Sequence, residues 1–489
     1  MSNQNHLVRG IKATFVSRFA DIVANGLLII LLSRFLLGPD GYGLLFLTLS
    51  ILAIAQLVAN LGIARSAGRY ISEYKENESG QIPHILVFSL QYKLVLIIFV
   101  TAGLVIGRDV AAMILDEPAL SGLLLIGCLF IATQSLKNYT VTVFQGFNVV
   151  ENSAIISIVD YIGRLVFIIG FVVVGWGVAG ALVGYVVSGL ISSVLGFYLL
   201  YFGYYRQYQA ASQPEVGLRR RILEYSIPLT ASESANVIDR RVDLILIGFF
   251  LNPVAVGLYT VAKQISEFVV APAGSVGFAL SPTYGEQKAN DGLQRAARIY
   301  ETSLQYVFLI YVPAAVGMVL VADPAVTIVF GGEYAEIAPV VQVLSIYVLF
   351  QAVTNVTTQA LDYLGRARHR AIAKMTTAVA NLLLNIILIP TLGIVGAAIA
   401  TVITFGIYTL ANVYVMHVEL PIQYNQLLRV GGGVSLISVF MGVVVIATAD
   451  YITGPLSLLT VVALAIVVWG TLVTISGLVD VRETATLLS

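Results

Sequence analysis

Fourteen separate runs of the 489-residue chain are long and apolar enough to cross a bilayer, and nothing else in the sequence constrains the fold as tightly. In hydrocarbon every backbone N–H and C=O must find its partner within the chain, so a run of about 20 apolar residues is committed to a helix. The runs fall at 13–37, 43–66, 84–107, 118–142, 153–175, 178–204, 223–250, 255–281, 299–322, 335–363, 370–390, 393–417, 427–449 and 455–479. Their links are short, and several are tight Gly/Pro turns: LGPDGYG after the first, GWG after the fifth, PTLG after the eleventh. The expected fold class is an all-α polytopic membrane protein with almost no extramembrane domain.

Composition excludes several function classes. Only 11% of residues are charged, against roughly 25% in a soluble domain. The 27 Lys/Arg balance 27 Asp/Glu, so no bulk field draws nucleic acid. The single Cys128 and four dispersed histidines offer neither a disulfide framework nor a metal cluster, and no cofactor is expected. No Gly-rich phosphate loop suggests direct use of ATP. The N-terminus is polar over its first turn and has no small-residue cleavage site after an apolar run, so it is read as retained.

Fourteen spans put both termini on one side. One set of alternate loops holds Arg9, Lys12, Lys137, Arg219, Arg220, Arg221 and most other Lys/Arg, while the other set holds Arg108. By the positive-inside rule both termini are expected in the cytoplasm of a plasma-membrane protein. The longest polar stretch, 206–221, is then also inside, with Tyr198, Tyr201, Tyr204, Tyr205 and Tyr208 leading into it as an interfacial aromatic belt.

That stretch also divides an internal repeat. FLLGPDGYGLL and FFLNPVAVGLY align Phe35, Leu37, Pro39, Gly43 and Leu44 with Phe249, Leu251, Pro253, Gly257 and Leu258. GVAGALVGYV from Gly177 aligns with GIVGAAIATV from Gly393, placing Gly180 over Gly396. The two offsets nearly coincide, as one duplication requires. The expected organisation is a six-helix lobe at 1–205, a cytoplasmic loop at 206–221, a second six-helix lobe at 222–418 and two further spans at 419–489.

Ionisable residues at membrane depth cost about 2.5–3.5 kcal/mol each and are functional candidates by default. The seventh span carries Glu233, Asn236, Arg240 and Asp243 at spacings that share one helical face, flanked by Asp239 and Arg241. Its repeat counterpart, the first span, carries Arg18, Asp21 and Asn25; Arg18 can also be read as snorkelling at the interface. The second span offers Asn60 and, at its inner end, Arg65; the eighth offers Lys263 and Glu267. Both Lys263/Glu267 and the fifth-span pair Asp160/Arg164 are spaced i,i+4, so each can equally be a self-neutralising structural pair. Spans three, four, six, nine and eleven to fourteen look nearly free of buried polarity, so a cavity walled by spans one, two, seven and eight is expected. Its cations suit an anion, since guanidinium binds phosphate oxygens bidentately. Its carboxylates can orient those cations or bind H⁺ or Na⁺.

Six plus six plus two spans, the FLLGPDGYG hairpin repeated as FFLNPVAVGLY, and the arginine cluster before the seventh span resemble the polysaccharide-biosynthesis (Wzx-type) flippases of the multidrug/oligosaccharidyl-lipid/polysaccharide superfamily. The resemblance implies alternating-access transport of a polyprenyl phosphate- or diphosphate-linked sugar to the outer leaflet, by a monomeric unit whose partners are that glycan lipid, membrane lipids and glycosyltransferases of its pathway. It also implies that central arginines engage the phosphate and that the last two helices help form a groove for the lipid tail. By position the first role falls to Arg18, Arg65, Arg240 and Arg241. Two other readings stay open: a cation-coupled multidrug exporter of the same superfamily, and an integral-membrane glycan polymerase or ligase. The outer loops argue against the second, since their Asp109, Asp116, Glu117, Asp323, Glu333 and Glu336 come without histidine or fixed pairing.

Overall fold

The computed structural model describes residues 2–289 and 293–478, with the side chains of 2–12, 231–233, 235, 236 and 275–289 outside the description. Among the described residues the chain is helical throughout: α1 (Ser2–Ile30), α2 (Gly38–Asn60), α3 (Ile63–Asn77), α4 (Ile82–Ile114), α5 (Ala119–Gly146), α6 (Val150–Phe171), α7 (Gly177–Gly203), α8 (Leu218–Phe250), α9 (Pro253–Ala289), α10 (Leu293–Phe330), α11 (Ala338–Tyr363), α12 (Ala367–Glu419), α13 (Tyr424–Thr448) and α14 (Pro455–Ser476). Eleven helical stretches are apolar and long enough to cross a membrane, and two of these, Val150–Gln207 and Ala367–Glu419, run to 58 and 53 residues. Each of the two is more than twice the roughly 20 residues a span needs. The expected spans are thus present, with α8 missing from the apolar set because of its charges and α12 carrying spans eleven and twelve on either side of Gly393.

The second span ends earlier than its hydropathy suggests. Leu61 (φ 36°) and Gly62 (φ 61°) are both left-handed, which stops α2 at Asn60 and starts α3 in a new direction. Buried Ile63, Ala67, Tyr70, Ile71 and Tyr74 form one face of α3, while Arg65, Arg69, Glu73, Lys75 and Glu76 are exposed on the other. This is the pattern of an amphipathic surface helix, and it takes Arg65 off the second span.

The duplicated glycines do the same job twice. Gly177 (φ 54°, ψ −136°) and Gly393 (φ 61°, ψ −142°) share a backbone conformation that side-chain-bearing residues rarely adopt, and both sit where one span turns into the next. Beyond each turn, a Cβ on Gly180 would lie 3.1 Å from the Phe171 carbonyl oxygen, and one on Gly396 would lie 2.2 Å from that of Leu388. The first hairpin repeat is reciprocal. A Cβ on Gly43 would meet the Pro253 carbonyl oxygen at 1.7 Å, and one on Gly257 would meet that of Pro39 at 2.2 Å.

Contacts divide the chain into two compact units, Met1–Gly257 and Leu258–Ser489, so α8 lies with the first half although the repeat makes it the opening helix of the second. In the first unit α6 pairs with α7, α5 packs on α7, α3 and α4, α1 lies on α6, and α8 lies on α2 and α3. The loop before α8 is docked rather than loose. Ala211 N–H donates to the Gly80 carbonyl (2.9 Å), Glu215 N–H to Gln81 Oε1 (3.0 Å), and the Tyr74 hydroxyl to the Glu215 carboxylate, which Arg221 also meets at 2.7 Å. In the second unit α10 packs on α11 and α13, and α11 on α12. With little hydrophobic force between helices in lipid, polar side chains supply part of the adhesion: Tyr300–Thr357 at 2.9 Å, Thr354–Thr409 at 2.8 Å and Asn381–Thr404 at 3.2 Å.

Candidate functional site

The densest buried polarity of the first unit gathers around α6. Asp160, with no exposed side-chain surface, meets Lys137 Nζ of α5 at 2.7 Å and Arg164 Nη2 one turn along at 2.5 Å, and accepts from the Ser188 hydroxyl of α7 at 3.1 Å. Lys137 also donates to Gln134 Oε1 at 2.7 Å, and Arg164 lies over the rings of Tyr185 (5.4 Å) and Tyr161 (5.8 Å). Asp160/Arg164 is therefore an ion pair, as its i,i+4 spacing suggested, but Lys137 shares the carboxylate. Helix α5 runs on to Gly146, so Lys137 sits about two and a half turns inside its end and is not an inner-loop residue. Lys93 of α4 is likewise buried, at 1% exposure, so spans three and four are not free of charge as expected. Sequence reasoning missed both lysines. For Lys93 the available signal was its place inside an apolar run, with Leu90, Leu96 and Ile97 one turn away; Lys137, with Thr133, Gln134 and Thr140 at those positions, offered no such pattern.

Helix α1 brings Arg18 and Asp21 within electrostatic reach of the same cluster, and α8 brings Arg241. Arg18, Asp21, Asp160 and Arg164 all act electrostatically on the Tyr161 hydroxyl, and Arg164 and Arg241 on that of Tyr185. Asp21 accepts from Asn25 Nδ2 at 2.5 Å and lies within electrostatic reach of Lys137 and Arg164. Arg18 and Asn25 are exposed, while Asp21 and Arg241 are half-buried. The expected single face of α8 divides by environment: Arg240 is exposed, Asp243 is 1% exposed, and Asp239 is intermediate. Burial follows because α8 packs on α2 and α3 along part of its length. The side chains of Glu233 and Asn236 lie outside the described residues. In the second unit Lys263 is buried with its ammonium 5.8 Å from the Tyr259 ring centre, and Glu267 is exposed.

Asn60 and Arg65 occupy a different place, a polar pocket of about 210 Å³ lined by Asn60, Gly62, Ala64, Arg65, Lys93, Asn138 and Thr142. Lys93 Nζ donates to Asn60 Oδ1 there. In the second unit an apolar cavity of about 420 Å³ lies among α9, α10, α13 and α14, with Val269, Pro313, Met318, Met441, Val461 and Trp469 in its wall. Pro313 interrupts the α10 hydrogen-bond ladder beside it. Among the described residues no group of His, Cys, Asp and Glu could hold a metal ion.

The family model described as polysaccharide biosynthesis protein matches residues 7–286, more than half of the chain. The chain belongs to this family. A second family model, MatE, matches residues 236–391. Among curated proteins the chain is similar to the probable low-salt glycan biosynthesis flippase Agl15 of Haloferax volcanii, 24% identical over 80% of each chain. It is also similar to the probable flippase AglR of the same organism, 26% identical over 297 residues, spanning 58% of that relative's length. Among solved structures, the lipid II flippase MurJ in an inward closed conformation superimposes with a TM-score of 0.76 at 16% identity, covering 96% of this chain and 98% of that one. The likeness establishes a shared all-α fold, the one that this family member's spans and repeat implied.

Proposed function

We propose that this protein is a flippase that carries a polyprenyl phosphate- or diphosphate-linked sugar or oligosaccharide from the cytoplasmic to the outer leaflet by alternating access. The observation that carries the reading is the charge of the α6 cluster. Among the described residues around Asp160 and the Tyr161 hydroxyl, Arg18, Lys137 and Arg164 outnumber Asp21 and Asp160, an excess that favours an anionic head group. The apolar cavity walled by α13 and α14 is the place for an isoprenoid tail, since its lining offers a polar head almost nothing to bond. Two relatives named as flippases, one of them for glycan biosynthesis, point the same way.

In this proposal Arg18, Asn25, Asn236, Arg240, Arg241 and Lys263 bind the phosphate and sugar. Asp21, Glu233, Asp239, Asp243 and Glu267 orient those cations or carry the coupling ion, and both termini face the cytoplasm. Deleting the gene should leave lipid-linked sugar on the inner leaflet and reduce surface glycan. The MatE match favours one competing activity, multidrug export; unchanged glycans together with altered drug resistance would select it instead.

A further inference from the structure

Lys93 has no task in that scheme, although it is the most deeply buried cation among the described residues of the first unit. Its ammonium offers three hydrogen bonds and uses one on the neutral Asn60 carbonyl, and among the described residues no carboxylate lies within ion-pair distance. A buried charge without a counter-charge is destabilising, and proteins retain it where something charged arrives. The surroundings identify the visitor's sign. Helix α3 begins at this pocket with no side-chain cap and no acidic residue in its first turn, so its positive N-terminal end adds to Lys93 and Arg65. Asn138 and Thr142 contribute neutral hydrogen-bonding groups from α5.

We propose that this pocket binds a phosphoryl anion. Residues that carry an ammonium, a guanidinium, amides and a hydroxyl line one small volume together with the first turn of α3, a set that suits an anion presenting several oxygens in different directions better than a planar carboxylate. The site lies wholly within the first unit and is judged by binding alone, so it does not rest on the flippase reading.

The test uses the purified full chain in detergent, with thermal stabilisation read against undecaprenyl phosphate, inorganic phosphate, phosphatidylglycerol and neutral undecaprenol. The wild type should respond to at least one phosphate and not to undecaprenol. Lys93→Met should weaken that response at least tenfold, and Lys93→Arg should restore much of it. Without ligand, Lys93→Met should be at least as stable as the wild type, because an apolar isostere relieves the buried charge. Response to undecaprenyl phosphate alone identifies a lipid-linked substrate, to phosphatidylglycerol a bilayer head group, to inorganic phosphate a free anion; each supports the site. Equal binding by Lys93→Met, no response to any phosphate, or a Lys93→Met protein destabilised without ligand would overturn it. The last outcome would make Lys93 a structural anchor for Asn60.

Discussion

Neutralising Asp160 should be the most damaging conservative change in the first unit. Asp160→Asn keeps the shape and still accepts from Ser188, but leaves Lys137, whose side chain is 9% exposed, and Arg164, at 19%, with no carboxylate at bonding distance. Removing one partner of a buried pair typically costs 3–5 kcal/mol, because the remaining charge cannot return to water. At roughly 2–4 °C per kcal/mol for a unit of this size, the melting temperature should fall by about 6 to 20 °C. The assay is thermal unfolding of purified protein, with membrane insertion checked separately. Lys137→Met combined with Asp160→Leu should recover more than half of the loss, since Arg164 keeps Gln134 Oε1 at 3.3 Å and the two tyrosine rings. An unchanged melting temperature for Asp160→Asn, or a double variant no better than the single, would show that Lys137 and Arg164 do not depend on the Asp160 charge.

Arg240→Ala should abolish surface-glycan output with insertion intact; normal output removes Arg240 from the site. Val216→Cys in a Cys128→Ala background should react with impermeant thiol reagents from the cytoplasmic side only, Val216 being 97% exposed in the loop before α8. Gly43→Ala should destabilise by about 1–3 kcal/mol or more through overpacking against Pro253, whereas Gly26→Ala, with open space around it, should not; thermal unfolding compares the two. The Tyr74 hydroxyl and the Arg221 guanidinium hold the Glu215 carboxyl below its usual value. Its contribution to loop docking is therefore complete above about pH 4.3 and lost as the pH falls through the lowered folded value. Proteolysis of the 206–221 loop should accelerate in that acidic window for the wild type and be insensitive to it in Glu215→Gln.

The spans and the two glycine reversals were legible because both rest on local chemistry. A bilayer imposes apolar runs of fixed length, and a tight reversal imposes glycine at Gly177 and again at Gly393. Depth was less legible. Hydropathy treats a lysine near the end of an apolar run as interfacial, and the extension of α5 to Gly146, beyond the expected end at 142, goes with its packing on α7 and α6. Partners across helices were invisible: Lys93 finds Asn60 and Lys137 finds Asp160 through tertiary approach, not through i,i+4 spacing. Only the first turn of α3 was absorbed into the second span and the rest was read as inner loop, although the charged positions Arg65, Arg69, Glu73 and Glu76 carry the helical period of a surface helix.

Reconstitution decides whether the protein moves a lipid-linked sugar between leaflets. Purified protein in vesicles holding a fluorescent polyprenyl phosphate- or diphosphate-linked sugar should move the label between leaflets, read as the fraction quenched by a membrane-impermeant reagent. Translocation should depend on the protein and be abolished by Arg240→Ala. Translocation no faster than in protein-free vesicles, from a preparation that instead exports a cationic aromatic compound, would contradict the flippase reading.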